Sequence, residues 1–348
     1  MNYQLIRCDM EHPGDVSALQ TLLKEEKIKA ETIKAIIAQT EGDGYSRGYA
    51  TLAFQGLLSS FLSISHEDVI EQIPMMMIGK TGGLMTPHYT LFIQEEGDKV
   101  NQSNEKRFAF GVASTPILDE NEIGTLKQVD YVTEAVKRAM EEADIDSIDD
   151  VKCVEVKCPW GVGGSLSKAA SALGSAVALE EVERDCISQE SLNRDHSLYS
   201  VKTSVSAGHE QVSARVIVMG NSTASSSDLY IGSGVMEDAL DLVGLRKSFE
   251  NAGIQAGSTL SEDKMEDIVQ VFVNAGADAL STVRGRRHTM HTDALAMHSG
   301  ILAKAVANAV VGSYVGETRI LCSAGSEHQG PQGSNLIAPV VRVTGGEL

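Results

Sequence analysis

The chain has 348 residues, with 29 lysines and arginines against 48 aspartates and glutamates, for a formal net charge of −19. A field of that sign repels phosphate backbones, which excludes nucleic acid as a partner, and no run reaches the roughly 18 uninterrupted apolar residues that a membrane span needs. The five cysteines follow no framework spacing, and Met1 to Arg7 lacks a basic stretch followed by an apolar core, so a reducing, cytoplasmic setting is expected.

Taken in chain order, one pattern is written three times. The first unit is assigned to residues 1–103. Its first helix closes on Lys24-Glu25-Glu26-Lys27-Ile28, and a strand over Thr32 to Gln39 ends on a polar residue. A second helix opens with Arg47 among small residues, a turn follows at Ile78-Gly79-Lys80-Thr81, and a last strand covers His88 to Gln94.

The second unit, 104–224, repeats the order. Val132, Ala135, Val136 and Met140 fall at helical spacing ahead of Glu141-Glu142-Ala143-Asp144-Ile145. The strand over Asp150 to Lys157 ends on lysine, Lys168 opens the next helix, the turn reads Ser206-Ala207-Gly208-His209-Glu210, and Arg215 to Met219 closes the unit. In the third unit, 225–348, the same places hold Glu250 to Ile254, Asp267 to Asn274, Lys304, Ser323-Ala324-Gly325-Ser326-Glu327 and Pro339 to Val343. The unit differs most in the insert from Arg284 to His298. The expected fold is α/β: three similar units around a pseudo-threefold axis, with a β-barrel-like core and helices outside.

Such symmetry brings equivalent ends to one central cavity. Turns of small residues expose backbone N–H groups that can hold a carbonyl oxygen or a developing oxyanion. A serine in such a turn is a nucleophile only when a base takes its proton, and a lysine serves when burial or a nearby cation lowers its pKa. Only the second unit has both: Lys157 and Ser206. The first offers Gln39 and Ile78, the third Asn274 and Ser323. A lone serine at a strand end is usually a turn former, and a lone lysine is usually solvated. Their recurrence at equivalent places favours the functional reading. His209 and His328 fall in the converging turns without partners at triad spacing, and His88 is read as structural. Gly79-Lys80-Thr81 resembles the end of a phosphate loop, but Pro74 stands where the upstream glycine belongs.

With these residues in view, the sequence resembles the cyanuric acid hydrolase and barbiturase family of ring-opening amidohydrolases. The likeness runs through Ala38-Gln39-Thr40-Glu41-Gly42-Asp43-Gly44, Val156-Lys157-Cys158-Pro159, Ala170-Ser171-Ala172-Leu173-Gly174, Gly285-Arg286-Arg287-His288-Thr289-Met290 and Ser326-Glu327-His328-Gln329-Gly330-Pro331. It implies three units around one site, Ser206 as nucleophile, Lys157 as its base, and a tetramer. Ser206 with Ala207, Ser323 with Ala324, and Ile78 with Gly79 would each bind one edge of a heterocyclic ring. Arg47, Lys168 and Lys304 stand at the family's arginine positions, where lysine loses the planar donor fork.

The chain departs from the family at Gln39 and Asn274, which replace lysines, and at Ile78, which replaces a serine. The family's structural divalent metal, held by main-chain oxygens around Gln329 to Ser334 and a glutamate, lacks its carboxylate near Asn274-Ala275-Gly276. The sequence therefore commits to no metal and implies no organic cofactor. The expected activity is Ser-Lys hydrolysis of a C–N bond in a cyclic amide, imide or ureide less symmetric than cyanuric acid. The alternatives are a cyanuric acid hydrolase or barbiturase proper, or a non-catalytic heterocycle binder.

Overall fold

A computed structural model describes residues 1–42, 44–97, 105–161, 164–255, 257–292 and 299–343. The expected boundary between 103 and 104, the end of the third-unit insert at 293–298 and Asp43 lie outside the described residues.

Apolar, β-branched runs form strands here, and helices cover them. The first sheet contains β1 (Asn2–Asp9), β2 (Ile33–Gln39), β3 (Met75–Ile78) and β4 (His88–Glu95), in the order β1-β4-β2-β3. Its helices are α1 (Ser17–Lys24), α2 (Gly44–Leu62) and α3 (His66–Gln72). The second sheet, β5 (Arg107–Ser114), β6 (Val151–Pro159), β7 (Thr203–Gly208) and β8 (Arg215–Ser222), has the order β5-β8-β6-β7, with α4 (Leu126–Glu142) and α5 (Ser165–Ala178).

The third sheet begins with two short strands, β9 (Leu229–Ile231) and β10 (Gly234–Met236), which both pair with β15 (Asn335–Arg342). They stand where the other units have one continuous strand. At the break, a Cβ on Gly232 would collide with the backbone of Ala252, so the chain interrupts the strand where the end of α6 (Leu242–Glu250) presses on it. The sheet continues through β11 (Ile268–Ala275) to β14 (Leu321–Ala324), again in the order first, fourth, second, third. The unit also contains α7 (Glu262–Glu266), α8 (Ser299–Val315) and a hairpin of β12 (Thr282–Val283) and β13 (Arg286–Arg287). That hairpin is exposed at Arg286 and Arg287, and Arg284 beside it pairs with Asp238, so the one dense basic run lies in surface structure.

The three sheets are not hydrogen-bonded into one closed barrel among the described residues; the barrel-like character lies in how they pack. Their inner faces share one core, where Phe92, Phe110 and Phe272, one from each sheet, meet edge-on or tilted at 5.2 and 6.2 Å. Outside, small residues let helices close on their neighbours. A Cβ on Gly174 of α5 would sit 2.6 Å from the Val129 carbonyl oxygen of α4. In every sheet the third strand, β3, β7 or β14, is an edge facing the centre. No helix among the described residues is long and apolar enough to cross a membrane.

Candidate active site

Parallel pairing sets three equivalent residue pairs side by side. Lys157 of β6 lies in register with Ser206 of β7, Gln39 of β2 with Ile78 of β3, and Asn274 of β11 with Ser323 of β14. The correspondences read from the sequence are thus one structural position repeated three times.

Along an edge strand, alternate residues direct their N–H and C=O groups away from the sheet. Met77 accepts, on that outer side, a 2.9 Å hydrogen bond from Lys157 Nζ. Cys322 N–H donates there to Gln39 Oε1 at 2.7 Å, and Val205 N–H donates to Gln329 Oε1 at 2.6 Å. Two residues further on, Gly79, Ala324 and Ala207 direct their N–H groups the same way. These three backbone donors border a cavity of about 380 Å³.

Ser206 and Lys157 line this cavity, as do Ala207, Ser323, Ala324, Ile78, Gly79, Arg47, Lys168 and Lys304. Gln39 and Asn274 do not. Each is buried beneath it and ties strands together: Gln39 reaches the third sheet at Cys322, whereas Asn274 donates only to Gly325 of its own unit at 2.8 Å. Asparagine is one methylene shorter than glutamine, and Gln329 makes the link to the second sheet at Val205 instead. Ile78 is 4% exposed and packs in the central core while also bordering the cavity.

The electrostatics are strongly local. Lys157 is fully buried, and desolvation holds its pKa below the ordinary lysine value; Arg47 adds to the depression, and Glu210 opposes it. Its ammonium lies 3.4 Å from Glu210 Oε1, and Arg47 Nε lies 4.0 Å from the same oxygen. Lys304 donates to the Gly79 carbonyl at 2.8 Å, and burial lowers it to about 8. Lys168 pairs with Glu327 at 2.5 Å. With Lys80, five basic residues border the cavity of a chain whose net charge is −19.

Several participants were not singled out in the sequence. Glu210 and Glu327 each follow a cavity serine by four residues, and the glycine between explains the spacing. A Cβ on Gly208 would overlap the Glu210 carboxylate, and one on Gly325 would lie 2.9 Å from Glu327 Oε2. The Ser-Ala-Gly-X-Glu pattern therefore folds a carboxylate back over its glycine toward a lysine, and its recurrence was the available signal. Trp160 was also unmarked; it borders the cavity beside His209, which the converging turns had suggested. His328 lies elsewhere, clamping Leu198 and Asn193 through its two ring nitrogens, and His88 is held by Thr86 and Gln270, with burial lowering it to about 4.

Main-chain oxygens of the Gln329 to Ser334 loop are engaged within the protein. Pro331 O accepts from both the N–H and the hydroxyl of Ser334, Ser334 O accepts from Gly276 N–H, and no cluster of three metal-ligating side chains occurs among the described residues.

Three strand edges converging on one cavity bordered by lysines and an arginine, built from three sheets of one topology, are the architecture of a ring-opening amidohydrolase. The family model described as "Amidohydrolase ring-opening protein" matches residues 4–162 and 160–342, and the chain belongs to that family. It is similar to a cyclic amide hydrolase from Rhodococcus sp., with 38% identity covering 96% of this chain and 100% of the relative. A cyanuric acid amidohydrolase from Enterobacter cloacae is 39% identical, with 98% and 100% covered. Among solved structures, a cyanuric acid hydrolase described as an innovation by structural concatenation superposes with a TM-score of 0.92 at 35% identity, covering 98% of this chain and 99% of that one.

Proposed function

We propose that this protein opens a small cyclic amide, imide or ureide by hydrolysing a ring C–N bond, with Ser206 as nucleophile and Lys157 as base. The observation that carries the reading is the register pairing of a fully buried, pKa-depressed lysine with a serine on the open strand edge. The third pair has the serine without the lysine, and the first has neither.

In this mechanism Ser206 Oγ attacks a ring carbonyl carbon while neutral Lys157 Nζ takes its proton. The carbonyl electron pair moves to oxygen, and the outward N–H of Ala207 stabilises the developing charge. As the tetrahedral centre collapses, the C–N bond breaks and the Lys157 ammonium returns its proton to the leaving nitrogen. The ring is then open, its carbonyl held as a Ser206 ester. Water attacks that ester, Lys157 accepts the water's proton, and the C–O bond to serine breaks as Ser206 Oγ regains a proton. Ser323, Ala324 and Gly79 orient the other ring edges, and Arg47, Lys168 and Lys304 supply positive charge that suits the acidic N–H of an imide and the product carboxylate.

The substrate follows from the broken symmetry. A carbonyl facing Ile78 lacks the hydroxyl partner that Ser206 and Ser323 offer, a loss of about 1–3 kcal/mol if buried. A methyl or methylene there is favoured by about 0.8 kcal/mol per CH₂. A ring less symmetric than cyanuric acid therefore suits the site. A screen of cyclic imides, hydantoins, pyrimidinediones and triazines, read by product mass, tests this. The reading holds if an asymmetric ring has the highest kcat/KM; cyanuric acid outranking all of them contradicts it. We further assign the three units to residues 1–103, 104–224 and 225–348 and expect the family-like tetramer, which sedimentation would check.

A further inference from the structure

We propose that Trp160 and His209 form a stacking wall that selects substrates carrying a planar, conjugated group fused or attached beside the scissile amide. This rests on the ring-opening reading above and narrows its substrate class.

The wall exists in one unit only. Trp160 stands three residues after Lys157, and His209 three after Ser206; the equivalent places hold Gly42 and Thr81 in the first unit, and Ala277 and Ser326 in the third. The two rings lie 5.1 Å apart, tilted by 37°, and both border the cavity. They belong to the unit that supplies the proposed nucleophile and base, so they flank the reacting edge rather than the Ile78 edge.

The backbone that carries the indole is held in place. The main-chain N–H of Trp160 donates to Gly208 O at 3.0 Å, and the main-chain N–H of Gly164 donates to Trp160 O at 2.8 Å. The ring lies against Gly164, where a Cβ would meet it at 3.0 Å and φ is +71°. A fixed aromatic face loses little freedom on binding a second flat ring, and aromatic pairs prefer offset or edge contacts at such spacing. The cavity, about 380 Å³, is larger than a bare six-membered trione fills.

Phthalimide and succinimide make a matched test, since they share the five-membered imide and differ in the fused benzo ring. The readout is the ratio of kcat/KM for phthalimide to that for succinimide, compared between variants so that intrinsic reactivity cancels. Trp160→Leu is expected to lower the ratio roughly 2- to 12-fold and Trp160→Phe to keep most of it. His209→Ala should lower it as well, which covers the case where Trp160→Leu fails to fold. An unchanged ratio in the leucine and alanine variants overturns the proposal. Trp160 is the chain's one tryptophan, so its fluorescence reads the contact directly in a Ser206→Ala protein. Saturable quenching by phthalimide with succinimide silent supports the wall, and equal or absent responses overturn it. If the wild-type protein opens neither imide, the fluorescence decides the stacking, and the ring-opening reading fails separately only if no ring of the wider screen is opened.

Discussion

Lys157 owes its state to neighbours that pull in opposite directions. Burial and Arg47 favour the neutral amine, and Glu210 favours the ammonium. As the base, Lys157 must be neutral, so kcat/KM should rise with pH along a limb that lies below the ordinary lysine range. Removing Glu210 as Glu210→Gln takes away the group that raises the pKa, and the limb should move to lower pH. Arg47→Gln takes away one that lowers it, and the limb should move to higher pH, with a loss of affinity besides. A pH–rate profile of the three proteins checks both signs. At the same scale, Ser206→Ala should cost roughly 10³-fold or more in kcat, since nucleophile and base act as a unit. Ser323→Ala should cost only about 10-fold, for one lost hydrogen bond of about 1 kcal/mol and some misplacement. These residues were legible because they recur: a lysine and a serine at matched offsets in one of three copies carry more information than either alone. Glu210 escaped notice because its role depends on a carboxylate folding back over Gly208, a contact that spacing alone does not announce.

Between elements, the edge strands are tied in a ring. Lys157 reaches β3, Gln39 reaches β14, and Gln329 closes the circle at β7. Gln329→Leu leaves the buried Val205 N–H without an acceptor, which should cost about 1–3 kcal/mol of stability. It should also lower kcat, because Val205 precedes Ser206; thermal unfolding and initial rates on one preparation separate the two effects. The sequence carried the order of strands and helices in all three units and the basic residue early in α2, α5 and α8. It did not show that Asn274 stays within its own unit while Gln329 crosses. That exchange depends on a side-chain length of one methylene measured across a sheet-to-sheet gap, which no local pattern encodes. The split of the third unit's first strand into β9 and β10 was hidden for a similar reason: Gly232 gives way to a helix end distant in sequence.

Across the whole molecule, three sheets share one core whose centre contains a buried acid. Glu155, on the same strand as Lys157, lies between the second and third sheets, and desolvation raises its pKa to about 8. Its folded pKa exceeds the ordinary 4.5, so the folded state binds the proton more tightly. The stabilisation is fully present below pH 4.5 and is lost as pH rises to about 8. Glu155→Gln removes that dependence. The variant should melt several degrees above the wild type at pH 8.5, with the gap closing toward pH 4.5; a gap that widens in acid would contradict the sign. The measurement that bears most directly on the chemistry is the mass of a quenched reaction, mapped by peptide. With a slowly deacylated cyclic imide, the opened ring should be found as an ester on Ser206 and be absent from Lys157→Met. An adduct on Ser323, or turnover by Ser206→Ala at the wild-type rate, would contradict it.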